Sequence, residues 1–251
     1  MAKLLRFEFH KLIRQKSFYI CLAVAVAMLV VSTYTTYLMS KDVMDTAEMG
    51  IDAMNVMIGS ASGGVLSMVI GVFIPLFACE DYVSGTIRNI VTRGYSRLGI
   101  FSAKLIAVML ATAVMTIACM AAGYLIGFIF SGSGVEPFDA ATVKILLCQL
   151  AVMLAEGALF YAISTVLQKT GGSIAVCLVL PMVLTIVLTL ADTALAEKDI
   201  SLSAYWLERI SGTLSSFDVK SADMKKALLT ALGYFVVTSA GSFLAVMKRE
   251  Y

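Results

Sequence analysis

A chain of 251 residues that is 60% hydrophobic and only 14% charged differs from soluble domains, which are about half apolar and about one quarter charged. Its mean hydropathy of +0.91 indicates a lipid environment, and a formal net charge of +2 argues against a nucleic-acid partner. One histidine, and five cysteines in or beside apolar stretches without a CxxC pair, indicate neither a metal site nor a disulfide framework. We therefore predict one all-α membrane domain over residues 1–251.

Residues 1–17 are predicted to form an amphipathic helix at the membrane surface. Apolar residues recur at helical spacing at Leu5, Phe9, Leu12 and Ile13. Basic residues occupy the other side at Lys3, Arg6, His10 and Arg14. A basic juxtamembrane anchor explains the same residues equally well.

Six apolar stretches are each long enough to cross a bilayer, whose hydrocarbon core needs about 20 helical residues. They cover residues 18–38, 57–79, 105–130, 145–167, 171–190 and 227–247. Pro75 and Pro181 each remove a helical hydrogen bond, so we expect kinks or short breaks there. Gly59 with Gly63, and Gly123 with Gly127, form GxxxG pairs, which favour helix packing inside the bundle over a dimer contact.

The positive charges predict the orientation of the spans. Of the 19 Lys and Arg residues, 12 fall on the side of the termini and 7 on the other, and cytoplasmic loops are enriched in these residues. Both termini are therefore expected in the cytoplasm of a bacterial cell, with the protein in the inner membrane. Residues 191–226 are expected outside, folded back onto the interface, with Tyr205 and Trp206 in an aromatic belt.

The chain itself is not expected to be an enzyme. A P-loop needs a glycine-rich turn followed by lysine, and no Gly-Lys dipeptide occurs. No Ser/His pair, paired Asp or HExxH set lies at bilayer depth. We expect no catalytic residue, metal or cofactor in this chain, and any ATP and Mg²⁺ on a partner chain.

Glu156 is the one acidic residue deep inside a predicted span. A carboxylate there costs about 2.5–3.5 kcal/mol on insertion scales unless it is protonated, paired or hydrated. It is either part of a translocation path together with Pro181, or a structural group bonded to Ser164, Tyr161 or a threonine of a neighbouring span.

The loop over residues 80–104 is predicted to be a structured hairpin of short helices. Gly85 can end one helix, Thr86 can start a second, Gly94 can turn the chain, and Ser96 can cap the third span. Ile87, Ile90 and Val91 can pack on a partner or on the bundle. A simple positively charged anchor explains the arginines but not the ordered turn residues.

The order of residues in this loop resembles the ABC-2 type permease family. Members carry an acidic residue after span two, a Gly-Thr step, a short apolar helix, a Ser-Arg pair and a lysine before span three. The matching residues here are Glu80, Gly85, Thr86, Ile87 to Val91, Ser96, Arg97 and Lys104. Gly94 and Tyr95 stand where many members have a proline before the Ser-Arg pair.

The resemblance implies an ABC-2 (type V) exporter-like fold with six transmembrane helices. The loop would be a coupling element that docks an ABC ATPase subunit, carried by Glu80, Gly85, Thr86, Ile87, Ile90, Val91, Arg93, Gly94, Ser96 and Arg97. A second permease copy would complete the pore, with a homodimer favoured over a heterodimer. The implied activity is export, with a toxin or antimicrobial peptide as the favoured substrate. The alternatives are an ion-gradient-driven secondary transporter using Glu156, and a non-transporting anchor or sensor subunit.

Overall fold

A computed structural model describes residues 2–43, 53–87, 92, 94–131, 139–195, 201–215, 219 and 221–247. These ranges are almost wholly helical and contain no strand, which confirms the predicted all-α class. The helices are α1 (Ala2–Arg14), α2 (Lys16–Val43), α3 (Ala53–Ser60), α4 (Gly63–Val83), α5 (Arg97–Ser131), α6 (Ala140–Leu167), α7 (Thr170–Ala194), α8 (Leu207–Leu214) and α9 (Ser221–Met247). A 3-10 turn at Ser203–Tyr205 precedes α8.

The described ranges contain six helices that are long and apolar enough to cross a membrane, which confirms the predicted number of spans. They are Lys16–Met39, Ala53–Val83, Leu98–Phe130, Ala140–Leu167, Thr170–Ala194 and Ser221–Met247. Helix α4 continues to Val83 and α5 begins at Arg97, so only residues 84–96 lie outside these two helices. The sequence predicts a loop over 80–104 because that stretch contains charged residues, but Glu80, Asp81 and Lys104 are helical.

Helix α6 lies at the centre of the bundle and packs against α4, α5 and α9. Its side chains Met153, Phe160 and Tyr161 join Phe73 and Phe77 of α4 in the largest buried apolar cluster. Helices α2, α7 and α9 are much less buried and present apolar side chains outward. The core therefore forms around α4, α5 and α6, and the other spans supply the outer surface.

The second span is interrupted at a place that the prolines do not predict. Pro75 and Pro181 lie inside helices that continue through them, so neither marks a break. The interruption instead falls at Ala61 and Ser62, between α3 and α4. Small residues with poor helix propensity surround this point, which lowers the cost of ending one helix and beginning the next. They are Gly59, Ser60, Ser62, Gly63 and Gly64.

Helix α3 packs closely against α5 through the glycines of the second GxxxG pair. A Cβ added to Gly127 would lie 2.7 Å from the Cα of Ala53, and one added to Gly123 would lie 2.7 Å from Ser60 Oγ. Only glycine permits this approach, so the pair packs inside the bundle as predicted. A Cβ at Gly59, in contrast, would meet nothing within 4 Å.

Residues 201–215, which precede α9, pack against the bundle. Trp206 is buried, and its indole Nε1 donates to Thr185 Oγ1 of α7 at 2.9 Å, so its predicted place in an aromatic belt is wrong. Tyr205 is exposed, with Lys226 Nζ 4.2 Å from its ring centre. The apolar side of α8 is buried through Leu207, Ile210 and Leu214. We call this end of the bundle the α8 face, and the end that carries α1 the α1 face.

Candidate functional site

Five charged side chains converge at the α1 face, where α4 ends and α5 begins. Glu8 and Lys11 come from α1, Glu80 and Asp81 from α4, and Lys104 from α5. We call this group the loop-base cluster, because it lies near the end of α4 and the start of α5, which residues 84–96 connect. It connects the N-terminal helix to two membrane-spanning helices.

Asp81 is the central residue of the loop-base cluster. Lys11 Nζ donates to Asp81 Oδ1 at 2.6 Å, and Lys104 Nζ donates to the other oxygen, Oδ2. Lys104 Nζ also lies 3.4 Å from the carbonyl oxygen of Ala78, and Lys11 Nζ lies 3.0 Å from Glu80 Oε2. One carboxylate therefore bridges α1 and α5, and its own helix α4 is held between them.

Burial makes these pairs energetically consequential. Lys104 is 1% exposed and Asp81 is 4% exposed, so neither charge can be solvated if its partner is removed. Aromatic rings cover the ammonium groups, with Lys11 Nζ 5.2 Å from the ring centre of Phe77 and Lys104 Nζ 5.5 Å from that of Tyr82. Breaking a buried pair from one side commonly costs about 3–5 kcal/mol. The cluster should therefore resist separation of the three helices.

Glu8 is the least satisfied member of the cluster. It is fully buried, and within the described part of the chain neither of its carboxylate oxygens has a hydrogen-bond partner. Burial raises the pKa of Glu8, and the nearby Lys104 only partly offsets this. Burial acts to lower the pKa of Lys11, but the hydrogen bonds and charges of Asp81 and Glu80 together outweigh burial, and the pKa is raised. Lys11 therefore stays charged, while Glu8 is biased towards its neutral form.

Residues 84–96 have the predicted turn residues at both ends. Gly85, with φ of 70°, follows the end of α4, and Thr86 begins the next helical segment. Gly94 has φ of 83°, and Ser96 Oγ accepts a hydrogen bond from the backbone N–H of Gly99 at 3.1 Å, capping α5. Both glycines occupy the left-handed region, where other residues are strained. The local shape of the loop is thus set at both ends.

The predicted coupling residues occupy different environments. Glu80 is about half exposed and paired with Lys11, whereas Ile87 is buried within the chain and is not offered to a partner. Arg97 begins α5. Ile90, Val91 and Arg93 lie outside the described residues. The role of the set in docking an ATPase stays a prediction.

Glu156 and Pro181, predicted to lie on a translocation path, are both buried in the bundle. Ser67 Oγ of α4 donates to Glu156 Oε1, while Ser164 Oγ donates to Phe160 O and Tyr161 Oη donates to Phe101 O. The predicted kind of partner, a hydroxyl of another span, is found, although none of the predicted residues supplies it. Neither Glu156 nor Pro181 borders either of the two cavities described below. A path role for both residues stays a prediction.

Sequence reasoning missed Asp81, Lys11 and Lys104 as a connected group. Lys11 and Lys104 were counted as positive charges on the cytoplasmic side, and Asp81 was read as part of a loop. The available signal was the position of Lys104, which interrupts an otherwise apolar helical pattern, as charges inside spans do when they have a partner. Among the described residues, no group of three or more His, Cys, Asp or Glu could hold a metal ion.

Comparison with known proteins gives one family. A family model described as ABC-2 family transporter protein matches residues 4–192, about three quarters of the chain. The match includes α1, the loop-base cluster, residues 84–96 and the first five spans, and it ends before α8. No curated protein matches this sequence.

Proposed function

Since this chain belongs to the ABC-2 family of transporter proteins and is a multi-pass permease subunit of an ABC transporter, we propose that it works as an exporter driven by a separate ATPase subunit. The ATPase binds ATP and Mg²⁺, and this chain provides the membrane path. Family membership favours this function over an ion-gradient-driven transporter or an anchor subunit.

The observation that supports ATPase docking is the loop-base cluster. Movement of residues 84–96 would reach α4 and α5 directly, because the chain continues into both helices, and it would reach α1 through the ion pair between Asp81 and Lys11. Turn residues fix both ends of this loop, and buried ion pairs hold the helices that carry it. Such a loop can transmit movement of a bound ATPase to the spans. Glu80, Gly85, Thr86, Gly94, Ser96 and Arg97, together with Ile90, Val91 and Arg93, are the proposed contact region. Ile87 acts from inside the chain, by holding the loop on the bundle.

The proposed orientation places the α1 face and both termini in the cytoplasm, with the chain in the bacterial inner membrane. The α1 face carries exposed Lys3, Arg6 and Arg14, as expected of a cytoplasmic side. An impermeant thiol reagent applied to intact cells should modify Ser203→Cys at the α8 face and leave Ser96→Cys unmodified. The reverse pattern would overturn the orientation.

The proposed assembly contains two copies of this chain, because six spans provide half of a pore in the resembled transporters. Helix α7 has an exposed apolar stripe that either lipid or a second copy can cover. The stripe contains Val179, Met182, Ile186 and Leu190. The proposed cargo is a peptide toxin or an antimicrobial peptide.

Asp81→Asn provides the direct test of ATPase coupling. The substitution keeps the shape of the side chain but removes the charge that holds Lys11 and Lys104, so co-purification of the proposed ATPase subunit, or substrate-stimulated ATP hydrolysis, should fall at least about fivefold. The matched control is Asp192→Asn at the α8 face, where the carboxylate accepts from the backbone N–H groups of Leu202 and Ser203 at 2.6 and 3.1 Å. Wild-type binding and hydrolysis in Asp81→Asn would show that the loop-base cluster does not couple the two subunits.

A further inference from the structure

Two adjoining cavities lie between α2 and the interruption of the second span. Their volumes are about 230 Å³ and about 190 Å³. Both are lined by Leu29, Ser32, Gly59 and Ser60, so they adjoin each other, and we call the two together the α2 groove. Small-molecule sites commonly enclose roughly 300–1,000 Å³, a size that is reached only when a ligand occupies both cavities.

The groove is a consequence of how α3 packs. Helix α3 lies against α5, where Gly123 and Gly127 allow close backbone contact, while α2 packs mainly against α4 and α5. The interruption at Ala61 and Ser62 lets α3 follow α5 instead of continuing the direction of α4. The space between α2 and α3 is therefore built by the fold.

The α2 side of the groove presents hydrogen-bond acceptors. Ser32 and Thr33 each donate their hydroxyl hydrogen to Leu29 O, at 3.0 and 2.9 Å, and Thr36 donates to Ser32 O at 3.0 Å. A hydroxyl has one hydrogen and two lone pairs. With these hydrogens donated within α2, the oxygen lone pairs of the side chains can accept a hydrogen bond from a ligand.

The opposite wall presents donors. Helix α4 has Ser62 as its N-cap, but the Ser62 side chain makes no capping bond and donates instead to Gly59 O at 2.7 Å. The first N–H groups of a helix have no partner inside the helix, and Gly64 and Val65 of this first turn line the groove. Irregular backbone at membrane depth is tolerated where it borders a cavity, and interrupted helices often form the binding sites of transporters.

We propose that the α2 groove binds an uncharged amide flanked by apolar groups, as in the backbone of a hydrophobic peptide segment. An amide carries an N–H for the hydroxyls of α2 and a carbonyl for the first turn of α4. Among the described residues, none that lines either cavity is charged, and Ala25, Leu66 and Cys119 provide apolar wall. The proposal rests on the proposed function in assigning this amide to exported cargo. The α2 groove lies on the side of the α8 face, which is the exit half of the proposed export path.

The experiment is photolabelling of the full chain in lipid nanodiscs without any ATPase. The probe is a doubly blocked dipeptide, acetyl-leucyl-photoleucine amide, and crosslinks are located by mass spectrometry. Labelling should concentrate on residues 25–36 and 56–66. Gly59→Leu should reduce it at least about fivefold, because the new side chain enters open space in the groove. Gly233→Leu in α9, which also meets nothing within 4 Å and lies away from the groove, should label as wild type.

A second variant tests the hydrogen bonds separately from the volume. Ser32→Ala combined with Thr36→Val removes two acceptors without filling the groove, and it should lower labelling about threefold or more. Equal labelling of Gly59→Leu and Gly233→Leu, or crosslinks spread over the lipid-facing side of α7, would overturn the proposal. Because no ATPase is present, failed labelling leaves the coupling test on Asp81 intact, and failed coupling leaves the labelling result intact.

Discussion

The loop-base cluster and the α2 groove place polar groups in an apolar bundle in opposite ways. In the cluster, Lys11, Asp81 and Lys104 from three helices satisfy one another, and Asp81 and Lys104 are almost fully buried. In the groove, hydroxyls satisfy the backbone of their own helix and keep acceptor capacity free. The comparison teaches that polar groups paired across helices fix those helices to one another. Polar groups that bond only within their own helix keep lone pairs available for a ligand. The first arrangement suits force transmission, and the second suits binding.

The largest effect should come from breaking the closed network. Lys104→Met leaves the buried carboxylate of Asp81 with only Lys11, and we expect a loss of about 3–5 kcal/mol in the free energy of unfolding. Thermal unfolding in detergent micelles measures it. The double variant Lys104→Met with Asp81→Asn, which removes both charges, should recover a large part of the loss. An unchanged melting temperature in the single variant would show that the pair does not hold the helices together.

A smaller loss is expected at the helix contact that opens the groove. Gly127→Ala places a Cβ about where the backbone of Ala53 lies, 2.7 Å from its Cα, and overpacking of this kind costs about 1–3 kcal/mol. The matched control is Gly59→Ala, whose Cβ meets nothing within 4 Å and which should be neutral or stabilising by up to about 1 kcal/mol. If the two variants unfolded alike, the contact between α3 and α5 would not be close enough to shape the groove.

Glu8 offers a test of how complete the closed network is. Because burial raises its pKa, the folded chain holds a proton on Glu8 to higher pH than the unfolded chain does. Its contribution to stability is therefore fully present below its ordinary value of 4.5 and is lost as the pH rises through the folded pKa. Glu8→Gln should match the wild type near the acid end and exceed it by about 1 kcal/mol at pH 8.

The measurement for Glu8 is the melting temperature of both proteins across that pH range. Four charged groups act on Glu8, namely Lys104, Asp81, Lys11 and Glu80. A Glu8→Gln protein that is less stable than wild type at pH 8 would show that the carboxylate is charged and paired there.

The smallest change in stability is expected at Glu156. Glu156→Gln keeps an oxygen that accepts from Ser67, so the free energy of unfolding should move by less than about 0.5 kcal/mol. The predicted path role requires in addition that transport falls, measured as substrate uptake into inverted vesicles. Normal transport with normal membrane levels would leave Glu156 a structural residue of the bundle.

Much of this fold could be predicted because its causes are local in the sequence. The length of an apolar stretch decides whether a helix can span a bilayer, and the turn residues at Gly85, Gly94 and Ser96 act on their own backbone. The ends of α4 and α5 could not be placed, because burial of Asp81 and Lys104 in these helices goes with an ion pair between two different helices, which a local pattern does not show. The interruption at Ala61 and Ser62 could not be predicted for a similar reason, because α3 packs against Gly123 and Gly127 of α5, which are distant in the chain. Trp206 was misplaced because an aromatic residue beside a span fits an interface and a buried contact equally well.

The single tryptophan of this chain gives the α8 face an intrinsic optical label. Trp206 donates to Thr185, whose hydroxyl also lies 2.7 Å from Glu208 Oε2, and its ring lies 6.2 Å from that of Tyr234. Its emission therefore reports on the contact of residues 206–208 with α7 and α9, with no background from the loop-base cluster. Lifting of α8 during a transport cycle would hydrate the indole and shift its fluorescence to longer wavelength. Stopped-flow fluorescence of the unmodified protein can thus follow the contacts of Trp206 at the α8 face after ATP binds the proposed ATPase at the α1 face.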